Sequence, residues 1–278
     1  MLSTEPDKQA DQLFEIGAGL GETALSKLTK ISGKDGEELA YKGAMLFFLC
    51  KAYKSYQAIR ILWSTGFVED AFVLVRTIFE LALQARYMSG DPKPRARLFT
   101  EYDIVARYRY YERVRKLNDP ILAATFARRE HELQGLMEEY DRLKDRYPEN
   151  KGWWGNNIAW LATQAGHAWK VRYKAVYWMS SNLVHSGAPT VKEYLIEQQG
   201  ALKINCSPKR SDQVMVPTEA TLYFLMLLGH VAEPLELGLN EQIQKGLGDF
   251  QKALGKGAKT DDNCGQPLIS PSRIGGCP

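Results

Sequence analysis

Histidine and cysteine are scarce in this 278-residue chain, four of each, and their positions exclude most metal and redox chemistry. No two of Cys50, Cys206, Cys264 and Cys277 have the spacing of a zinc knuckle or of a Cys-x-x-Cys redox pair. They read as reduced, mostly structural thiols in a cytoplasm, and a disulfide between Cys264 and Cys277 carries little weight. Long apolar runs are missing too. The longest, Leu222 to Leu228 with its flanks, falls far short of the roughly 20 residues a spanning helix needs, so no membrane role is expected. The start, Met1 to Lys8, lacks a basic-then-apolar signal pattern, so export is not expected. Charge of one sign is nearly absent in excess: 36 basic against 33 acidic residues leave +3, too little to imply nucleic acid or acidic membranes by itself. There is no glycine-rich phosphate loop, no nucleophile elbow, no zinc motif and no internal repeat. No cofactor and no metal are therefore expected.

What is present is helical periodicity along most of the chain. Residues 8–30 place Leu13, Ile16, Leu20, Ala24 and Leu28 on one face. After the Gly33–Gly36 break, a long helix is expected from Glu37 to Ser64, stopped by Gly66, and another from Val68 to about Met88. The stretch Ser89 to Pro94 reads as a stop, because glycine and proline punctuate helices. Two polar amphipathic helices follow, about 95–117 and 121–147, joined at Asn118-Asp-Pro120. In the second, Phe126, Leu133, Tyr140 and Tyr147 recur every seven residues, with Leu122, Leu136 and Leu143 between them; such a seam suits an antiparallel helical hairpin. Gly152 to Asn157 opens a shorter helix ending near Ala165, and Trp169 to Ser186 forms another. Residues 200–216 alternate around a Ser-Pro-Lys-Arg-Ser turn, as a small β-hairpin would. Pro217 suits the first position of an apolar helix to about 232, Pro234 should kink or restart it, and a last helix reaches about Leu254. The fold class is thus all-α: one multi-helix bundle over 1–255 with a protruding 95–147 hairpin, followed by a flexible tail over 256–278.

Two segments carry polar groups where an apolar helix would not need them. In Gly66 to Glu80, Arg76 and Glu80 are four residues apart among Phe72, Val75, Ile78 and Phe79, so they share a face and can pair. Asp70 near that helix start suits a capping role at the positive dipole end. In the second segment Tyr173, Tyr177, Ser181 and His185 recur every four residues, with Asn182 one step around. Were the two helices packed together, Arg76 could clamp an anion, Glu80 could orient the imidazole, His185 could move a proton, and Ser181, Tyr177 and Asn182 could position a substrate. The bland alternative is a satisfied buried network that sets helix register.

Other constellations are weaker. His230 and Glu233 are spaced like two metal ligands, but a di-iron bundle needs several more carboxylates. His131 and His167 read as surface residues. The run Arg107 to Lys116 interleaves basic and aromatic residues in the manner of a nucleic-acid surface, diluted by Glu101, Asp103 and Glu112; a solvated helix with tyrosines packed inward is the simpler reading.

The pattern Gly66-x3-Asp70-Ala71-x2-Leu74-x-Arg76-x3-Glu80, then Tyr173-x3-Tyr177-x3-Ser181-x3-His185, resembles a widespread bacterial all-helical family whose domain has no assigned function. The resemblance covers roughly residues 40–200. It implies that Arg76, Glu80, Ser181 and His185 belong to one shared feature and supplies no reaction. A more distant analogy is the HEPN group of helical bundles, many of them RNA-cleaving toxins or defence proteins, whose site pairs an arginine and a histidine on one helix. Here the nearest arginine before His185 is Arg172, thirteen positions earlier, so Arg76 would have to substitute from another helix. Two functions stay open. One is a metal-independent enzyme acting on RNA or a nucleotide phosphodiester, as a toxin or defence component. The other is a non-catalytic module that binds a small ligand or protein, or a second copy of itself through the 95–147 hairpin.

Overall fold

The computed structural model describes residues 5–28, 31–117, 119–121, 130–185, 187–205, 207–208 and 214–255. Three helices make its centre: α2 (Gly36–Thr65), α3 (Val68–Ser89) and, from much later in the chain, α10 (Met215–Val231). α10 is apolar all round between Ala220 and Leu228, and every residue of that stretch is buried, as expected of a helix walled on all sides. α1 (Glu5–Ser26) and α11 (Asn240–Ala253) close one side of it, and α4 (Pro92–Lys116) lies along α2. The periodic positions Leu13, Met45, Phe48, Ala52, Ile59 and Trp63 are all buried, so the pattern read from the sequence is the core.

The α2–α3 turn decides where the first polar segment points. Gly66 takes the left-handed conformation (φ 87°), and its N–H meets the Trp63 carbonyl at 3.1 Å while Phe67 N–H reaches the Leu62 carbonyl at 2.8 Å. This paired closure satisfies carbonyls that the helix end leaves open, and it needs a residue free to adopt positive φ. Asp70 is exposed, and α3 has no side-chain cap hydrogen bond, so its carboxylate acts only through the helix dipole.

Proline at the start of α4 corrects one boundary: Pro92 begins the helix instead of prolonging a stop, since the first turn lacks N–H partners anyway. α5 (Glu130–Leu143), followed by a 3₁₀ turn at Lys144–Arg146, runs antiparallel to α4. Glu101 pairs with Arg146 near one end, and Tyr108 stacks on Tyr140 at 4.3 Å further along. The base of α4 is packed, not free-standing, because Phe99 meets Phe48 at 5.4 Å and Trp153 at 5.5 Å. The seam positions Leu122 and Phe126 lie outside the described residues.

The β-hairpin sits earlier than the alternation suggested. β1 (Leu195–Gln198) and β2 (Ala201–Ile204) pair with Leu195 opposite Ile204, turning at Gln199-Gly200. Both turn residues have positive φ (53° and 74°), the geometry that matches strand twist in a two-residue hairpin. The Ser-Pro-Lys-Arg-Ser turn lies largely outside the described residues, and Val216 belongs to α10, where Pro217 stands in the first turn, two residues later than expected. The tail 256–278, Cys206, Cys264 and Cys277 are likewise outside them, while Cys50 is an exposed free thiol on α2. No described helix is long and apolar enough to cross a membrane.

Candidate functional site

α3 presents Arg76 and Glu80 one turn apart, and Arg76 Nε donates to Glu80 Oε1 at 2.8 Å. The same guanidinium reaches out of its own helix: Nη2 donates to the Tyr177 hydroxyl at 2.5 Å, and its carbon lies 3.9 Å from the Tyr177 ring centroid. Tyr173 stacks on Tyr177 at 4.5 Å and 30°. Arg76, Tyr177 and Tyr173 thus form one column of planar groups, in which cation–π attraction and stacking add to the hydrogen bonds. The column is not sealed: the Arg76 and Glu80 side chains keep 21% and 31% of their surface in solvent. Burial pushes the Tyr173 and Tyr177 hydroxyls above their ordinary range; for Tyr177 the adjacent Arg76 charge works against that rise.

The partner segment is one helical run broken in register. α6 (Ile158–Gln164), capped by Asn157, leads to α7 (His167–Arg172), then a π-turn over Tyr173–Tyr177, then α8 (Trp178–Val184). A π-turn accommodates one extra residue and rotates everything after it, and such turns are frequent at functional sites. Here it lets the two halves face different neighbours. Before it, Arg172 Nη1 bonds both Glu219 carboxylate oxygens on α10, at 3.0 and 3.3 Å. At its far end, Tyr177 faces α3. Trp169 anchors the run by packing on Phe79, which also meets Tyr223 edge-on at 5.0 Å.

The same rotation decides which serine turns inward. Ser180 is buried, its hydroxyl donating to the Val176 and Tyr177 carbonyls at 2.8 and 3.2 Å. Ser181 is part-exposed and has no side-chain hydrogen bond among the described residues. Asn182 is tied locally: its side-chain amide donates to the Trp178 carbonyl at 2.8 Å, and its backbone carbonyl accepts from Gly187 N–H at 2.8 Å. His185 is exposed at the helix end, and no described contact joins it to Arg76 or Glu80. Eight residues of helix separate it from Tyr177, about 12 Å along the axis. A groove of about 260 Å³, lined by Leu183, Thr190, Leu195 and the short α9 (Val191–Tyr194) through Val191 and Tyr194, opens beside that helix end. The structure therefore brings together Arg76, Glu80 and Tyr177, adds Tyr173, and leaves Ser181, Asn182 and His185 at the rim.

Sequence reasoning missed the π-turn, the inward Ser180 and the Arg172–Glu219 anchor. A shift of one hydrogen bond leaves no periodic trace, and Glu219 is distant in sequence. Among the weaker candidates, the basic–aromatic face of α4 is largely spent on local pairs: Arg107 with Asp103 at 2.9 Å, Arg115 with Glu112 at 3.0 Å, and Arg109 with the Tyr147 carbonyl. Among the described residues no group of three or more histidine, cysteine or acidic side chains could hold a metal ion. Glu233 is exposed, whereas His230 is packed against the α3 side of the core. Burial, with the Arg86 charge adding to it, holds the His230 imidazole down to about 4.

That depression has a pH consequence. An unfolded histidine takes up a proton near pH 6.5, the folded one only near 4, so acid favours the unfolded chain between those values. Stability present above pH 6.5 should fall by roughly 3 kcal/mol on acidification to pH 4. Denaturant titrations at pH 7, 5.5 and 4.5 test this: the slope should shrink in His230→Gln, and an unchanged slope would rule out the buried neutral imidazole.

A family model matches residues 42–202; it is DUF5677, described as a family of unknown function, and it spans both polar segments. Neither a search of curated proteins nor a search of solved structures returns a match.

Proposed function

Because the chain belongs to DUF5677, a family of unknown function, its chemistry has to be argued from its own side chains, and we propose that the Arg76–Glu80–Tyr177 site binds the phosphate backbone of an RNA strand or a nucleotide. The observation that carries this reading is the state of Arg76. Two of its nitrogens are held by Glu80 and Tyr177, while Nη1 has no partner among the described residues and the side chain is one-fifth exposed. A guanidinium held in place this way loses little freedom when an oxyanion arrives, and arginine suits phosphate geometry. Beside it, the Tyr173–Tyr177 stack offers a surface on which a base could continue the column.

In the catalytic form of this reading, His185 is the general acid and base, with Ser181, Asn182 and Tyr177 positioning the strand. With His185 about 12 Å along the helix from Tyr177, Arg76 beside Tyr177 and His185 would grip different phosphates, so the substrate would be longer than one nucleotide. Such an enzyme would fit a toxin or defence component.

Fluorescence anisotropy with a labelled single-stranded oligoribonucleotide tests the binding. Arg76→Ala should weaken it about 10- to 100-fold, the loss expected for a charge-assisted hydrogen bond. Arg76→Lys should recover part of it, and raised salt should weaken the wild type. Cleavage is scored separately: His185→Ala should bind RNA normally but neither degrade it nor arrest growth on expression. If wild type and Arg76→Ala bind equally poorly, the site is not for RNA.

The second reading, a non-catalytic module, draws on the mutual satisfaction of Arg76 by Glu80 and Tyr177. In that case Arg76→Ala and Glu80→Ala lower the melting temperature and little else. The partner contact would then fall on the α4–α5 hairpin, whose Tyr110, Leu117 and Ile121 are exposed. A concentration-dependent mass in light scattering would mark a second copy as that partner.

A further inference from the structure

One stretch of the chain is free of acid. Between Glu149 and Glu193 no aspartate or glutamate occurs, while Lys151, Lys170, Arg172, Lys174 and Lys192 do. Those five charges exceed the +3 of the whole chain, so the remainder is net negative. α7, the π-turn and α8 lie inside this stretch, and Lys170, Lys174 and His185 are exposed on them. Neither lysine has an ion pair among the described residues. On α4, by contrast, Arg107 and Arg115 are neutralised by acids of their own helix. Glu80 on α3 and Glu219 on α10, which face this run, are held by Arg76 and Arg172.

Among these charges stands an uncovered tryptophan. Trp178 follows Tyr177 directly and leaves 62% of its surface in solvent, whereas Trp153 and Trp169 are buried in the core. Lys170, Lys174 and Trp178 recur every four residues. In an α-helix that spacing drifts by about 40° per step. The π-turn, whose hydrogen bonds close over one more residue, widens the turn and takes up the drift. Tyr173 and Tyr177, on the same spacing, show the result, since their rings stack at 4.5 Å. Lys174 and Trp178 each stand one residue beyond a tyrosine of the column that holds Arg76. Two lysines and an indole therefore line up along the solvent side of that column.

Resting on the reading of Arg76 as a phosphate clamp, we propose that this outer face is a track for single-stranded RNA, on which Trp178 stacks an unpaired base while Lys170 and Lys174 follow the backbone. Positive charge undiluted by acid fits a polyanion, and an aromatic face set among lysines fits a strand whose bases are splayed out. A duplex offers no such base, because its rings are already stacked on one another. Trp178 is thus the residue that selects a single strand, whereas Arg76 reads phosphate alone.

Three labelled ligands of equal length separate the contributions in fluorescence anisotropy with the full chain. They are a single-stranded oligoribonucleotide, the same strand annealed into a duplex, and an abasic strand that keeps the phosphates without the bases. Wild type should bind the base-bearing single strand more tightly than either of the others. Trp178→Ala should weaken that strand about 5- to 100-fold, the range for losing one stacked base, and leave the abasic strand unaffected. Trp178→Tyr should restore most of the loss, since it returns an aromatic face. Arg76→Ala should weaken abasic and base-bearing strands alike. Lys170→Gln and Lys174→Gln should each lower the slope of log affinity against log salt by about 0.7. All three positions are exposed, so these variants should fold as wild type does. Equal affinity for base-bearing and abasic strands, equal affinity for single strand and duplex, or an unchanged preference in Trp178→Ala would each overturn the stacking role and leave the Arg76 phosphate site standing. A wild type that binds none of the three removes both readings.

Discussion

Gly17→Ala is expected to lower the melting temperature by about 5 to 15 °C, at roughly 2–4 °C per kcal/mol for a chain of this size. A Cβ at position 17 would stand 2.3 Å from the Tyr56 hydroxyl and 2.4 Å from the ring carbon bearing it. Tyr56 has nowhere to go. It is fully buried, stacked on Phe224 at 5.0 Å, and its hydroxyl bonds Thr221 Oγ1 at 2.8 Å and the Phe14 carbonyl at 3.2 Å. Overpacking of this kind costs about 1–3 kcal/mol, and a buried hydroxyl pushed off its partners costs a similar amount. The gain in helix propensity returns only about 1 kcal/mol. Gly19, two residues on, meets nothing within 4 Å and is exposed, so Gly19→Ala should be neutral or slightly stabilising. A Gly17→Ala protein melting like wild type would mean that α1 and α2 do not approach through Tyr56.

Phe79→Ala should cost about 3–5 kcal/mol, the range for removing a buried phenylalanine. Its ring is fully buried between Trp169 at 5.7 Å and Tyr223 at 5.0 Å, joining α3 to α7 and α10 at once. The effect should reach beyond stability. Trp169 is the apolar anchor of the segment that delivers Tyr173 and Tyr177, so the stacked column over Arg76 should loosen, and RNA binding should weaken at temperatures where the variant is still folded. Phe79→Leu keeps most of the volume and should lose less of both. Denaturant unfolding beside anisotropy at 10 °C separates the two effects. Normal affinity in a folded Phe79→Ala protein would show that the Arg172–Glu219 pair suffices to hold the segment.

The helices were legible because each buries one face, and the period of that face is written in the chain: Leu13, Met45, Phe48, Ile59 and Trp63 are core where the spacing put them. Glycine at 66 announced the α2–α3 turn for an equally local reason, its tolerance of positive φ. The Arg76–Glu80 pair needs only i, i+4 geometry and could be read directly. The β-hairpin was anticipated but placed late, because apolar alternation continues past Ile204 while the turn that closes it, Gln199-Gly200, is a weak signal without asparagine or aspartate.

The polar stripe Tyr173, Tyr177, Ser181 and His185 shows where local reading ends. Equal spacing predicts a single face only if the helix keeps one period, and the π-turn breaks it between the first and second members. Nothing in the residues from 173 to 177 requires that turn. It answers two demands from elsewhere in the fold, Arg172 drawn to Glu219 and Tyr177 drawn to Arg76. Periodicity along the chain was therefore enough to establish the helices, their buried faces and the pairing of neighbours one turn apart. Which polar groups meet across helices and which serine turns inward were decided by packing, since Arg76–Tyr177 and Arg172–Glu219 join residues 101 and 47 positions apart and their desolvation is set only once the bundle has closed.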